Sequence, residues 1–116
     1  MSYFFDTYAL VEIIKNNENY KKYTNYPIIT TTLNLSEFYF YLLSNIGKDK
    51  TDEIVNKFDF SFLEINEDIA KEAAKFRNTN YKRELSYIDC IGYVLAGSIG
   101  FSFLTGDSFF ENKGNV

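Results

Sequence analysis

The sequence of 116 residues contains no histidine and only one cysteine. Without histidine, the chain cannot form a Ser-His-Asp triad, a Cys-His pair, a His-ligated zinc site or a nuclease centre that uses histidine as acid and base. The lone Cys90 excludes an intramolecular disulfide and fits a reducing cytoplasm. Any chemistry is therefore expected to come from carboxylates, hydroxyls, amides and a bound metal ion.

The sequence also lacks a long apolar run and a phosphate-binding glycine motif. The longest apolar candidate, residues 88–104, is interrupted by one aspartate and three glycines, so we expect no membrane-spanning helix. Its Gly92 and Gly97 have P-loop-like spacing, but the lysine that a P-loop requires does not follow them. The N-terminal segment contains Asp6 and has no basic start, so it is interpreted as a strand and a helix and not as a signal peptide.

The chain is instead rich in apolar and aromatic residues. Hydrophobic residues make up 46% of the sequence and aromatic residues 19%, which is enough to build a core without stabilising disulfides. The length predicts a single domain, residues 1–116. The net charge of −4 argues weakly against a nucleic-acid partner, because proteins that bind nucleic acids usually carry a basic excess.

Short apolar or β-branched runs alternate with amphipathic stretches along the chain. The runs predict strands at residues 2–5, 28–31, 58–65 and 101–105. The amphipathic stretches predict helices at residues 7–16, 34–46, 48–57, 66–78 and 86–99. Strands that alternate with helices form a parallel sheet covered on both faces. We therefore expect an α/β fold, a three-layer α/β/α sandwich around a four- to five-stranded parallel sheet.

Four acidic residues fall near one edge of this predicted sheet: Asp6, Glu37, Asp89 and Asp107. Asp6 and Asp107 follow the first and the fourth strand, and ligands of such sheets bind at the carboxyl ends of the strands. Glu37 and Asp89 lie in the first turns of predicted helices. If the four carboxylates converge, they form a negative, oxygen-rich pocket suited to Mg²⁺ or Mn²⁺. Metal-assisted phosphodiester chemistry is therefore the leading hypothesis.

Each acid taken alone also has a structural interpretation. Asp6 and Asp107 are positioned to cap the helical turns that follow them. Residues 34–37 and 86–89, Asn-x-x-Glu and Ser-x-x-Asp, have the spacing of a capping box, in which the later acid accepts a hydrogen bond from the cap amide. Capping or solvation is the better explanation for any single acid, and only their common position favours a metal site.

The acids lie in segments that resemble a known family. These segments are Phe4-Phe5-Asp6-Thr7-Tyr8-Ala9-Leu10, Leu35-Ser36-Glu37-Phe38, Ser86-Tyr87-Ile88-Asp89-Cys90-Ile91-Gly92-Tyr93 and Leu104-Thr105-Gly106-Asp107-Ser108-Phe109-Phe110. In order and spacing, over essentially the whole chain, they resemble PIN domains and in particular the small toxin ribonucleases of the VapC type. The chain departs from the family in its short C-terminus, so the last edge strand is expected to be missing or minimal, and in its acidic net charge.

The resemblance implies a cytoplasmic, Mg²⁺- or Mn²⁺-dependent endoribonuclease, the toxin of a type II toxin–antitoxin pair. In such proteins the acids hold one or two metal ions. Asp6 and Asp89 would be the most direct ligands, and Glu37 and Asp107 would bind directly or through water and position the attacking water. Attack by water, without the RNA 2′-hydroxyl, would leave a 5′-phosphate and a 3′-hydroxyl.

Three hydroxyl residues and a basic segment complete the expected site. Thr105, and more weakly Thr7 and Ser86, are supporting residues that could bind a ligand carboxylate or the phosphate, although turn and cap bonding is their commoner role. Lys75, Arg77, Lys82 and Arg83 belong to a basic segment, residues 71–83, that runs into the helix bearing Asp89. They are candidate contacts for the RNA backbone, with a solvated helix face as the commoner use of such a run.

A lethal nuclease must be silenced in its own cell, so the resemblance implies a cognate antitoxin whose C-terminal segment covers the acidic pocket. It also implies a homodimer. The aromatic helix around residues 35–43 has more apolar surface than one core face needs, which fits either a partner surface or burial on several sides.

Three other functions stay open. One is a PIN nuclease that processes RNA without an antitoxin, and another is a catalytically silent PIN module that binds RNA or protein. The third is a phosphoacceptor receiver domain, which is disfavoured because Asp6 is followed by Thr7 where that fold needs an acidic pair, and because the fourth strand does not end in lysine.

Overall fold

The computed structural model describes residues 2–110, without the side chain of Ser108. The strands are β1 (Tyr3–Phe5), β2 (Ile28–Thr30), β3 (Phe60–Phe62) and β4 (Ser102–Leu104). The α-helices are α1 (Thr7–Ile14), α2 (Thr32–Ile46), α3 (Lys48–Val55), α4 (Glu67–Thr79) and α5 (Tyr87–Ser98). Shorter 3₁₀ segments span Glu18–Asn25, Tyr81–Arg83 and Ser108–Phe110.

The four strands form one parallel sheet in the order β3-β2-β1-β4. At its centre, Phe4 of β1 lies opposite Ile29 of β2 and Phe103 of β4. The predicted α/β fold with a parallel sheet is confirmed. A further strand after residue 110, expected to be missing or minimal, lies outside the described residues.

Two apolar clusters cover the two faces of the sheet. Successive side chains of a strand point to opposite faces, and Phe4 and Phe5 therefore enter different clusters. Phe4 packs with Phe103 and the buried residues of α4 and α5, whereas Phe5 packs with those of α1 and α2, such as Phe38. These two cores produce the predicted three-layer sandwich.

Helix α5, which carries Asp89, approaches the sheet closely at Gly92. A Cβ atom at Gly92 would lie 2.9 Å from the ring of Phe4 and 3.1 Å from the ring of Phe103. Because both rings are fully buried, they have little freedom to move aside. Glycine at this position therefore sets the depth at which α5, and with it Asp89, sits on the sheet.

The start of α2 differs from the prediction. The helix begins at Thr32 and not at residue 34, because Thr31 is its N-cap and its hydroxyl accepts a hydrogen bond from the amide of Asn34 (3.2 Å). The capping box expected between Asn34 and Glu37 is therefore wrong. The predicted end is confirmed, since Gly47 adopts φ +78° and donates its N–H to the carbonyl of Leu43.

Other boundaries differ by a few residues. Strand β3 is limited to Phe60–Phe62, at the edge of the described sheet where it pairs only with β2. Helix α4 begins after Asn66, whose side chain accepts from the amide of Ile69. Within residues 2–110, no helix combines the length and the apolar character that a membrane crossing requires.

Candidate active site

The four predicted acids line a single pocket of about 390 Å³. Asp6 and Asp107 follow β1 and β4 at the carboxyl end of the sheet. Glu37 lies on α2, and Asp89 lies in the first turn of α5. The folded chain therefore brings together side chains from four separate segments. Their roles as metal ligands or catalytic groups stay predictions.

Asp6 is the most deeply buried of the four acids, with 3% of its surface exposed. Its amide donates to the carbonyl of Leu104 (3.0 Å), which ties the end of β1 to β4. Its Oδ2 accepts a hydrogen bond from Thr105 Oγ1 (2.8 Å), whereas the buried Oδ1 has no hydrogen-bond partner among residues 2–110. The side chain does not cap α1, so the capping interpretation of Asp6 is wrong.

Burial raises the pKa of Asp6 from 3.8 to about 7. The hydrogen bond from Thr105 and the nearby backbone N–H of Thr7 oppose this rise in the pKa, while the negative charges of Asp89 and Glu37 add to it. An ionised carboxylate with one unpaired oxygen is costly in such a place. A bound cation would therefore stabilise the ionised form of Asp6.

Glu37 is held by a chain of buried and partly buried hydrogen bonds. Thr7 Oγ1 donates to Glu37 Oε1 (2.6 Å) and accepts from Asn34 Nδ2 (3.1 Å). Asn34 Oδ1 in turn accepts from Thr31 Oγ1 (2.7 Å). Burial raises the pKa of Glu37, the bond from Thr7 opposes the rise and the charge of Asp89 adds to it. Thr7 was among the predicted supporting residues, whereas Asn34 was predicted only as a helix cap and not as part of the site.

Asp89 has a structural role as well as a place in the pocket. Ser86 N donates to Asp89 Oδ2 (3.2 Å), and Asp89 N donates to Ser86 Oγ (3.0 Å), so the predicted capping box is confirmed. The neighbouring Cys90 is buried, and burial raises the pKa of its thiol to about 11, with the charge of Asp89 adding to the effect. Cys90 is therefore a core residue and not a thiolate nucleophile.

Thr105 connects Asp6 to Asp107. Its hydroxyl donates to Asp6 and accepts a hydrogen bond from the amide of Asp107 (3.1 Å). Asp107 Oδ1 accepts from the amide of Phe109 (2.9 Å), which confirms its capping of the last helical turn. The three predicted supporting residues, Thr105, Thr7 and Ser86, each hydrogen-bond one of the four acids or its amide.

The carboxylate oxygens of the four acids are of the type that binds a hard divalent cation, although they are not arranged closely enough to coordinate one together. Within residues 2–110, no three carboxylate, thiol or imidazole side chains are grouped closely enough to hold a metal ion. Like charges repel one another in the absence of a cation, and Glu37, Asp89 and Asp107 each accept hydrogen bonds from their own surroundings. Carboxylate oxygens, including the unpaired Oδ1 of Asp6, are the ligands that Mg²⁺ and Mn²⁺ prefer.

The basic segment, residues 71–83, has most of its charge already engaged. Lys71 pairs with Glu67 (2.9 Å) and Lys75 with Glu72 (3.1 Å) on the surface of α4. Arg77 donates to the carbonyl of Leu85 (2.9 Å) and lies 4.3 Å from the ring centroid of Tyr87.

Lys82 and Arg83 differ from the rest of the segment. Both are exposed, and neither forms an ion pair within the described part of the chain. Arg83 lies 4.9 Å from the ring centroid of Phe109, two residues after Asp107. No acid of residues 2–110 pairs with the charge of these two residues, and Arg83 is held near the acidic loop.

Helix α2 has one buried and one exposed apolar side. Phe38 and Leu42 are buried in the core, whereas Leu33, Phe40 and Leu43 are exposed, Phe40 to 72%. The helix is thus not buried on several sides, and its apolar excess faces solvent in the isolated chain.

Comparisons with known proteins agree with this fold. The sequence profile of the PIN domain matches residues 3–116. The VapC20 toxin of Mycobacterium tuberculosis, described as cleaving the sarcin-ricin loop, has a similar structure with a TM-score of 0.78 at 17% identity, covering 99% of this chain and 97% of that one. A toxin–antitoxin complex from Klebsiella pneumoniae gives 0.72 at 19% identity, covering 100% and 95%. No curated protein gives a significant sequence match. The chain belongs to the PIN domain family.

Proposed function

We propose that this PIN domain is a Mg²⁺- or Mn²⁺-dependent endoribonuclease and the toxin of a type II toxin–antitoxin pair. The observation that carries the proposal is the convergence of Asp6, Glu37, Asp89 and Asp107 on one pocket. Membership of the PIN family and the shared fold with a toxin described as cleaving the sarcin-ricin loop support the same function.

Asp6 and Asp89 are the direct metal ligands in this proposal. Asp6 offers a buried oxygen that accepts no hydrogen bond from the described part of the chain, and Asp89 is fixed on the first turn of α5 by its capping box. Glu37 and Asp107 bind the metal directly or through water. When bound, the metal ion would lower the pKa of a bound water, polarise the scissile phosphate and neutralise charge on the leaving oxygen.

The remaining residues of the site orient these carboxylates. Thr105 holds Asp6 and the loop that carries Asp107, while Thr7 and Asn34 hold Glu37. Glu37 and Asp107 then position the attacking water, which leaves a 5′-phosphate and a 3′-hydroxyl on the cleaved RNA. Each of the four carboxylates thus accepts a partly buried hydrogen bond, which favours preorganisation of the site.

Cleavage of RNA in the presence of Mn²⁺ tests the proposal. Asp6→Asn and Asp89→Asn should each lower the rate by about a hundredfold or more, because they remove proposed ligands. Glu12→Gln is the matched control: it makes the same acid-to-amide change in the same pocket, at a residue that is no proposed ligand.

Mn²⁺-dependent cleavage with 5′-phosphate ends, lost in the two aspartate variants and kept in Glu12→Gln, would support the proposal. Equal cleavage by Asp6→Asn and the wild type would overturn it. Binding of RNA without cleavage by the wild type would instead identify a catalytically silent module.

We place the main RNA backbone contacts at Lys82 and Arg83, with Lys75 and Arg77 contributing less. Lys75 and Arg77 already have partners within the fold, whereas Lys82 and Arg83 are exposed. Arg83 also lies near the loop that carries Asp107, so a strand bound there would lead towards the acidic pocket.

The protein partners that we propose are an antitoxin and a second copy of the chain. The exposed apolar side of α2, with Leu33, Phe40 and Leu43, would be covered by one of them. A toxin–antitoxin complex is among the structures that share this fold. A small protein that copurifies with the chain would favour the toxin function over an RNA-processing nuclease that works alone.

A further inference from the structure

One face of α1 forms a wall of the acidic pocket. Tyr8, Val11 and Glu12 of α1 and Lys15, the residue directly after it, recur at the spacing of a single helix face, and all four line the pocket. At 1.5 Å per residue, this wall runs about 10 Å from Tyr8, two residues after Asp6, to Lys15.

The ring of Tyr8 packs against Gly106, a residue of the loop between β4 and Asp107. A Cβ atom at Gly106 would overlap the ring of Tyr8, so the ring packs against the bare backbone of that residue. Gly106 stands between Thr105 and Asp107, and the ring is thereby held at the loop that carries these site residues. Tyr8 is nevertheless 46% exposed. A packed ring with open surface next to the acids is suited to bind a flat ligand.

The negative charge of the pocket disfavours binding of the RNA backbone through its phosphates. The four acids and Glu12 make the lining strongly negative, and Lys15 is the only cation among the described residues that line it. Glu12 already accepts a hydrogen bond from Asn17 Nδ2 (2.9 Å). Stacking of a base on a neutral aromatic ring gives affinity that the carboxylates do not oppose.

We propose that Tyr8 is a platform on which a base of single-stranded RNA stacks next to the scissile phosphate, with Lys15 contacting a neighbouring phosphate. This inference rests on the proposed ribonuclease function and assigns the residue that positions the substrate strand. Stacking depends on the π-face of the ring, so the phenol hydroxyl is dispensable for it.

The absence of tryptophan from the chain allows a direct test. Tyr8→Trp, made together with Asp89→Asn to prevent cleavage, places a single tryptophan on the pocket wall. The matched control is Tyr26→Trp in the same background, because Tyr26 is also exposed but precedes β2 at the opposite end of the sheet. The probes are a short oligouridylate and the same ribose-phosphate chain without bases.

Oligouridylate should quench the emission of Tyr8→Trp and leave that of Tyr26→Trp unchanged, and the chain without bases should quench neither. In binding assays, Tyr8→Ala should raise the Kd for oligouridylate by about 5- to 150-fold. The Kd of Tyr8→Phe should stay within about twofold of that of the parent protein. If Tyr8→Ala fails to fold, the tryptophan and phenylalanine variants, which keep a ring against Gly106, decide the question.

The outcomes separate this inference from the proposed function. If the wild type cleaves RNA but Tyr8→Trp is not quenched and Tyr8→Ala binds normally, the inference is wrong and the nuclease stands. If Tyr8→Trp is quenched but the wild type does not cleave, the platform stands and the nuclease is wrong. If the wild type neither binds nor cleaves RNA, both are wrong.

Discussion

The acidic pocket and the basic segment are both clusters of like charge, but the fold treats them in opposite ways. The acids come from four separate segments and converge on one pocket, where burial and mutual repulsion raise the pKa of Asp6 and Glu37. The basic residues are neighbours in the sequence, yet Lys71 and Lys75 are paired on the surface of α4 and Arg77 is bonded to the backbone. Residues that are close in sequence thus need not concentrate their charge in one place. Their position relative to the sheet predicts better whether their charges come together.

The largest expected effect is a fall in the stability of the protein as the pH rises, because the buried Asp6 of the pocket then ionises. Asp6 binds its proton more tightly in the folded chain, where its pKa is about 7, than in the unfolded chain, where it is 3.8. Without divalent cations, the free energy of unfolding should therefore fall as the pH rises from about 4 to about 7, by at most about 4 kcal/mol. Glu37, whose pKa is also raised, acts in the same direction. Urea denaturation in EDTA across this range measures the effect.

Asp6→Asn should remove most of this pH dependence and make the metal-free protein more stable at pH 8, because the amide carries no charge to bury. Glu12→Gln lines the same pocket and should keep the pH dependence of the wild type. If the free energy of unfolding changed with pH in the same way in the wild type and in Asp6→Asn, ionisation of Asp6 would not destabilise the folded protein.

A smaller effect distinguishes the two halves of the basic segment. Two double variants remove the same charge: Lys82→Ala with Arg83→Ala, and Lys71→Ala with Lys75→Ala. In the Asp89→Asn background, the first should lower the salt dependence of single-stranded RNA binding by about 1.4 in the log–log slope, as expected for two phosphate contacts. The second should change the slope much less, because both lysines are already paired.

Equal changes in slope for the two double variants would contradict this distinction. The basic segment would then act through its total charge, and the ion pairs on α4 would have no influence on RNA binding.

The strands and helices were largely predictable from the sequence because their periodicities are local. The adjacent Phe4 and Phe5 predict a buried strand, and the fold places them in two different cores, as a sheet covered on both faces requires. Asp6 and Asp107 were predicted at the carboxyl ends of strands because Asp6 directly follows an apolar run and Asp107 comes three residues after another.

Hydrogen bonds and contacts between distant segments were not predictable. Thr30, Thr31 and Thr32 are consecutive, and nothing local shows that Thr30 bonds the carbonyl of Phe5 while Thr31 caps α2. The start of that helix, and the burial of Asn34 beneath Thr7, depend on this choice. The packing of Tyr8 on Gly106 joins opposite ends of the chain and has no signal in either local sequence.

The central claim is that the convergent acids bind a divalent cation, and thermal unfolding of the metal-free protein with added Mn²⁺ tests it most directly. At a hundredfold excess over the Kd, binding stabilises the folded state by about 2.7 kcal/mol, which for a chain of this size raises the Tm by roughly 10 °C. We predict this rise in the wild type and in Glu12→Gln, and its loss in Asp6→Asn. An unchanged Tm in the wild type, or an equal rise in Asp6→Asn, would contradict the account.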